Sequence, residues 1–330
     1  MLPRRTFWRV TMLALPLFIG LSTLPELARA QAYPQRPVRL VVGFPPGTGP
    51  DLVARILGQR LAETLKQAVV IDNVAGAGGQ IAAQQVAKGT PDGHTLLLGE
   101  VGSISIAPST HRKLPYQPAK ELAPVSEVVR ADFVLVVPAT SPHTDVDTLV
   151  AAARADKHRL NFGTFGAGTP GHFGAEMFAS RAGFPIEPVH FRATGDAISA
   201  LVNGSVQAAF VSTALAAPQV KGGKLRALAT TAARRSVLLP EVPTFAELGQ
   251  PDINFSAWFA ILAPAGTPAA LLDLLNREVV SAAQTPSVRK QLEDAGFTVL
   301  GTSRSETQRL LETEAQRWAA LAKATGFQID

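Results

Sequence analysis

The sequence predicts an α/β protein in which two lobes face each other across a cleft, and three observations lead there. Short apolar runs alternate with amphipathic segments from Val38 onward, a pattern that builds mainly parallel sheets with right-handed helical crossovers. Gly-rich loops join a run to the amphipathic segment after it at 43–51, 72–80 and 163–171, so they occur in both halves of the chain. An apolar stretch, Phe133–Val137, then reads as a strand crossing from one half into the other. A cleft between two such lobes is the usual seat of a small ligand.

The first unit runs from the strand Val38–Val42 through Gly43-Phe44-Pro45-Pro46-Gly47-Thr48-Gly49-Pro50-Asp51 into a helix over Leu52–Lys66. Val53, Leu57, Leu61 and Leu65 recur every fourth residue and give that helix one apolar face. Pro50 suits its first turn, and Asp51 suits its positive end. A loop of this kind is either an anion site made of unpaired helix N–H groups or a plain tight connection. It is not a nucleotide loop, because no Gly-Lys-Ser/Thr follows the glycines. Asp51 itself has two readings, a holder of a ligand ammonium or a helix cap.

The second unit repeats the order: a strand at Ala68–Ile71, the loop through Gly76-Ala77-Gly78-Gly79, and a helix over Ile81–Lys88. Turn residues Gly89–Gly93 lead to a third strand, His94–Gly99. Ser103 follows its C-terminal end, where open α/β sheets bind ligands; its hydroxyl either faces a ligand or caps the next helix. Beyond the crossing strand come a helix at Thr144–Ala155, a strand at Leu160–Gly163, and the third loop with Thr164, Gly166, Gly168 and Thr169. It opens a helix from His172 to Arg181, so His172 is either a capping and packing residue or a ligand donor. Further strands are read at Glu187–Phe191, Val206–Val211 with Ser212 at its end, Lys224–Thr230 and Asn254–Leu262. Leu239–Thr244 reads as a surface connector, and helices close the chain at Ala270–Ala282, Ser287–Ala295 and Ser305–Thr325.

Composition narrows the function. The first thirty residues read as an export leader: Arg4, Arg5 and Arg9, an apolar stretch Val10–Leu21 too short for an ordinary membrane span, and Ala28-Arg29-Ala30 before Gln31. The general secretory route is the favoured reading, and Arg4-Arg5 also suits twin-arginine export. Cleavage removes four Arg and one Glu from 31 basic and 26 acidic residues, leaving 27 and 25, a net charge of +2. That is too weak for a nucleic-acid binder, and His111-Arg112-Lys113 and Arg234-Arg235 read as solvated faces. The chain has no cysteine, which excludes disulfides, thiolate metal sites and a lipid-anchored Cys. The six histidines show no metal-ligand spacing, and neither Gly-x-Ser-x-Gly nor His-Glu-x-x-His is present. A periplasmic hydrolase assembled from His172 or His190 with distant Asp and Ser residues is the rival class.

Seven motifs in order carry a resemblance. They are Phe44-Pro45-Pro46-Gly47-Thr48 with Asp51 and Ala54-Arg55; Gly76-Ala77-Gly78-Gly79; Pro91-Asp92-Gly93-His94-Thr95-Leu96-Leu97; Gly166-Ala167-Gly168-Thr169-Pro170-Gly171-His172 through Glu176; Gly223–Ala229; Leu239–Thr244; and Ala263–Pro268. Together they resemble the Bug receptor family, the periplasmic solute-binding component of tripartite tricarboxylate transporters. One site departs: the family's Val-Pro-Tyr-Lys-Gly is Val189-His190-Phe191-Arg192-Ala193, which keeps an aromatic and a cation and loses the proline, the tyrosine hydroxyl and the glycine. Arg192 then points either into the cleft toward a second carboxylate or out to solvent.

The resemblance implies a type II periplasmic binding protein, with residues 31–134 and 256–330 in one domain and 135–255 in the other. It implies a monomer that closes over a small carboxylate and hands it to a membrane permease, or presents it to a signalling sensor. No enzyme activity, cofactor or metal is implied. Phe44, Pro46, Gly47, Asp51, Gly78, Gly166, Gly168, Thr169 and His172 carry over as pocket residues, and Thr48, Ser103, Phe191, Arg192 and Ser212 join them from their places beside the same loops.

Overall fold

Strand β4 (Leu122–Pro138) is the spine of the molecule. The computed structural model describes residues 33–155, 159–191 and 194–329; the leader expected at 1–30 and Arg192 lie outside the described residues. Ahead of β4 come β1 (Val38–Val42), α1 (Gly49–Leu65), β2 (Val69–Asn73), a 3-10 turn (Ala77–Gly79), α2 (Gln80–Ala87), β3 (Thr95–Glu100), a π-helical turn (Gly102–Ile106), α3 (Ala107–Thr110) and α4 (Pro118–Glu121). After it come α5 (Val146–Ala155), β5 (Leu160–Thr164), α6 (Pro170–Ala182), β6 (Ile186–His190), α7 (Thr194–Val202), β7 (Ala208–Ser212), α8 (Thr213–Lys221) and β8 (Leu225–Thr230). The chain then returns through β9 (Ser256–Pro264), α9 (Ala269–Gln284), α10 (Pro286–Asp294), β10 (Thr298–Val299) and α11 (Arg304–Thr325).

The strands lie in the order β2-β1-β3-β9-β4-β7-β5-β6, with β8 and β10 also paired to β4. β4 changes partners along its length: Leu122–Asp132 pairs with β9, and Phe133–Pro138 pairs with β7 and β8. Two halves of the sheet therefore share one strand. In each half the outer strands are parallel, β1 with β2 and β3, and β5 with β6 and β7. The pairings of β4 and β9 are antiparallel. The sheet is thus mixed rather than mainly parallel, because β4 leaves the first half and β9 re-enters it in the opposite direction.

Period-two alternation places the cores. Leu40, Val42, Leu96 and Leu98 pack with Leu57, Ile261, Leu275 and Leu292 beneath α1, α9 and α10. Val41 and Leu97 join the larger core, whose aromatic centre is Phe162, Phe173, Phe178, Phe210, Phe245 and Phe255. Each of these rings contributes on the order of 1.5–3 kcal/mol through burial. Gly174 lets α6 lie directly on the Phe255 ring, whose atoms occupy the place a Cβ would take.

Three readings of the sequence change here. Leu239, Val242 and Thr244 are buried, and Thr244 bridges to Thr230, so that segment is packed inward rather than running over the surface. Two apolar side chains three residues apart give it a face to bury. Helix α8 follows β7 directly and contains Pro218, which masks it in the sequence. His111 is half-buried rather than solvated, with Nε2 3.1 Å from Gln80 Nε2, while Arg112 and Lys113 beside it are exposed.

Helix α11 opens on a capping box formed by Ser303 and Glu306. It lies against β4, the π-turn and α3 in the first half and against α6 in the second. Gly326 ends it in the left-handed conformation (φ 66°). The backbone then pairs with the first half: Ile329 N donates to Thr110 O (2.6 Å), and Ile329 bridges to His111.

Candidate ligand cleft

Both halves put the same features in the same place. At the C-terminal ends of β1, β2 and β3 sit the Gly47 loop, the Gly76–Gly79 loop and the π-turn carrying Ser103. At the C-terminal ends of β5, β6 and β7 sit the Gly166–Thr169 loop, Phe191 and Ser212. Helix starts at these loops leave N–H groups without intrahelical partners and carry partial positive charge.

Close approach holds the first group together. A Cβ on Gly43 would lie 2.5 Å from Gly79 Cα, so only two glycines let these loops touch. A Cβ on Gly79 would lie 3.6 Å from both the Phe44 ring and Ser103 Oγ, which places all three loops at one point. Asp51 locks the first loop. Its Oδ2 accepts from Gly47 N (2.8 Å) and Arg55 Nε (2.9 Å), and its Oδ1 accepts from Asn73 Nδ2 (3.0 Å). Asn73 Nδ2 also donates to Phe44 O (3.0 Å), tying β2 to the same loop. The Arg55 guanidinium, helped by Gly47 and Asn73, holds the Asp51 carboxyl down at about 2 against the opposing effect of burial. Asp51 is thus an ionised strut whose charge Arg55 offsets.

The second group is organised around His172, which is buried in the first turn of α6. Thr169 caps that helix, with Oγ1 accepting from His172 N (3.4 Å) and donating to Gly166 O (2.8 Å). Gly168 N donates to His172 Nδ1 (3.0 Å), which fixes the neutral tautomer with the proton on Nε2. Burial, aided by the neighbouring His190, lowers His172 to about 4, so it is uncharged at neutral pH. The His190 ring stands edge-on to it at 4.7 Å, and His190 Nδ1 lies 2.7 Å from Thr164 Oγ1.

The chain's last described segment joins the groups. The Phe327 ring packs edge-on against His172 at 5.1 Å, and a Cβ on Gly168 would lie 3.1 Å from Phe327 and from Ile329. Ile329 is bonded in turn to Thr110 in the first half.

A family model described as "Tripartite tricarboxylate transporter family receptor" matches residues 53–327. The chain belongs to that family. Protein BugT of Bordetella pertussis is 34% identical over 314 residues, covering 95% of this chain and 96% of BugT. An R. palustris protein solved with adipate superposes with a TM-score of 0.77 at 33% identity, over 90% of this chain and 99% of that one. MatC from Rhodopseudomonas palustris, solved with bound malate, gives 0.72 at 32% identity, over 88% of this chain and 99% of MatC. The expected periplasmic-binding-protein fold stands, and the family and its solved relatives are solute-binding receptors rather than enzymes.

Within the receptor, the candidate residues divide by what they touch. Phe44, Pro46, Gly47, Thr48, Asp51, Gly78 and Ser103 belong to the first group. Pro46, Gly47 and Gly78 are exposed, and Gly78 has open space where a Cβ would stand. Thr48 Oγ1 donates to Pro45 O (2.7 Å) within its own loop. Buried Ser103 donates to Glu100 O (3.1 Å), and its own carbonyl accepts from Tyr116 Oη (2.6 Å). Gly166, Gly168, Thr169, His172 and Phe191 gather in the second group, where Phe191 N donates to Thr164 O (3.1 Å). Ser212 precedes α8 without a side-chain cap bond.

Residues that sequence reasoning passed over are Asn73, Glu100 and Phe327. Glu100 ends β3 as a buried carboxyl whose Oε2 accepts from Gly102 N (2.7 Å). Burial pushes it up to about 7 against the N–H groups of Gly102 and Ser103. An acid closing the otherwise apolar run Leu96–Gly99 was the visible signal.

Proposed function

We propose that this receptor works in the periplasm, captures a small carboxylate between its two groups of loops, and delivers it to the membrane permease of a tripartite tricarboxylate-type transporter. Export would proceed by the general secretory route, with the leader then cleaved after Ala30. The observation that carries the reading is the pairing of glycine-rich loops at helix starts on both halves, with the nearby ionic groups already neutralised: Asp51 is held by Arg55, and His172 is uncharged. Such a cleft meets a carboxylate with backbone N–H groups and hydroxyls rather than with a dedicated cation. The relatives solved with adipate and malate support the same ligand class.

Capture would proceed by hinge closure, with the lobes 31–134 plus 256–330 and 135–255 rotating about the point near Asp132 and Phe133 where β4 changes partners. No helix among the described residues is long and apolar enough to cross a membrane; in this scheme the permease is a separate chain. The receptor acts as a monomer in it. Phe44, Gly47, Gly78, Gly166, Thr169 and His172 are the contacts proposed first.

A thermal-shift panel of mono-, di- and tricarboxylates against the chain from Gln31, unfolded and refolded to strip carried-over ligand, tests this. Binding to the folded state alone raises the melting temperature by mass action. A rise with one acid and none with its amide or ester is expected. Silence across the whole panel would contradict the carboxylate reading.

A further inference from the structure

His190 belongs to no motif of the family; it stands where the family's pattern has proline. It ends β6 directly across the ladder from Thr164, the end of β5. The Phe191 N to Thr164 O bond clamps the two strand ends together at that point. The ring is thereby fixed, with Nδ1 2.7 Å from Thr164 Oγ1 and its edge against His172. Unlike His172, His190 is exposed, and among the described residues its Nε2 has no hydrogen-bond partner.

We propose that His190 is a ligand-contacting residue that sets specificity: its Nε2 receives the second acid group of a dicarboxylate and selects such ligands over monocarboxylates. The inference rests on the carboxylate-receptor reading above. Its chemistry is proton-linked. His172 cannot take the proton readily, because it is buried and its Nδ1 already accepts from Gly168. Among the described residues, Glu176 on α6 also stands beside the pair, with Oε1 4.0 Å from His172 Nε2. Burial raises Glu176, while Arg159 and Glu187 act on it with opposite signs. Partial burial holds His190 below its ordinary value in the empty cleft. A carboxylate arriving at Nε2 stabilises the imidazolium and raises it. The complex then binds more protons than the free receptor, so affinity rises as pH falls through the value His190 has in the complex. A monocarboxylate seated in the first group of loops does not couple to it.

Calorimetric titration of adipate, malate and monomethyl adipate at pH 6 and pH 8 tests the assignment in the wild type, His190→Gln and His190→Phe. In the wild type, dicarboxylate affinity is expected to rise about threefold to tenfold from pH 8 to pH 6, with proton uptake seen as a dependence on buffer ionisation heat. His190→Gln cannot titrate, so the rise in dicarboxylate affinity toward pH 6 and its proton uptake disappear. His190→Phe loses preference for the diacid over the monoester. Dicarboxylate binding whose pH slope survives in His190→Gln, or a preference unchanged in His190→Phe, overturns this inference alone. No binding of any of the three ligands to the wild type at either pH overturns it together with the carboxylate reading.

Discussion

Replacing Glu100 with glutamine should stabilise the receptor, and only above acidic pH. Glu100 is buried at the end of β3, and its carboxyl is met there by the backbone N–H groups of Gly102 and Ser103. Its folded-state value of about 7 lies above the 4.5 of an unfolded glutamate. The folded state therefore holds a proton that the unfolded state has released. Below about pH 4.5 both states are protonated and the group costs nothing. The cost grows as pH rises through that window and levels off above pH 7, at about 3 kcal/mol for a shift of this size. Glutamine keeps an oxygen for Gly102 N–H and never ionises. Urea unfolding of wild type and Glu100→Gln between pH 4.5 and 8.5 should give a stability difference that climbs by about 2–3 kcal/mol toward the variant's favour. Any packing cost of the amide is independent of pH and appears as an offset. A difference that stays flat across the range would refute the reasoning, because it would mean that the buried carboxyl titrates as if solvated.

Other perturbations follow from the same contacts. Asp51→Ala removes the acceptor of Gly47, Arg55 and Asn73 and should cost about 1–3 kcal/mol and weaken carboxylate binding, read by denaturant melts and titration. In the wild type the folded-state value of Asp51 lies below its unfolded value, so its contribution is present above about pH 4 and is lost as pH falls through about 2. Gly174→Ala forces a methyl into the Phe255 ring and should destabilise by about 1–3 kcal/mol, with partial recovery in the double variant carrying Phe255→Leu. Truncation after Gly326 removes the contact of Phe327 with His172 and the bond from Ile329 to Thr110. It should loosen the two halves, seen as a larger radius of gyration in X-ray scattering and weaker adipate binding, with α11 intact by circular dichroism.

Regular elements were legible because local rules governed them. Val53, Leu57 and Leu61 marked α1, and the apolar runs marked β1, β3 and β9. The mixed pairing was not legible, since nothing local in Leu122–Pro138 tells that one strand serves both halves of the sheet. The loops of the cleft could be found from their glycines, but the partners that rigidify them could not. Asn73 lies 22 residues from Asp51, and Phe327 is far along the chain from the His172 ring it packs on. His111 looked like one of three surface cations and instead faces Gln80, while its backbone bridges to Ile329 from far along the chain. Contacts of that kind depend on tertiary closure and leave no periodic trace.

The central claim is that both halves grip one carboxylate ligand, and the most direct measurement is a calorimetric titration of one dicarboxylate into wild type, Gly78→Asp and Thr169→Val. Gly78 has open space for a side chain and a left-handed backbone (φ 60°), a conformation that aspartate adopts more readily than most residues, so Gly78→Asp adds an anion to the first half without a steric clash. Thr169→Val removes the hydroxyl that caps α6 in the second half. The account predicts one ligand per chain in the wild type and at least about tenfold weaker binding in each variant, through charge repulsion in one and loss of the cap that orders the Gly166–Thr169 loop in the other. Wild-type affinity retained in either variant would contradict a site shared between the two halves.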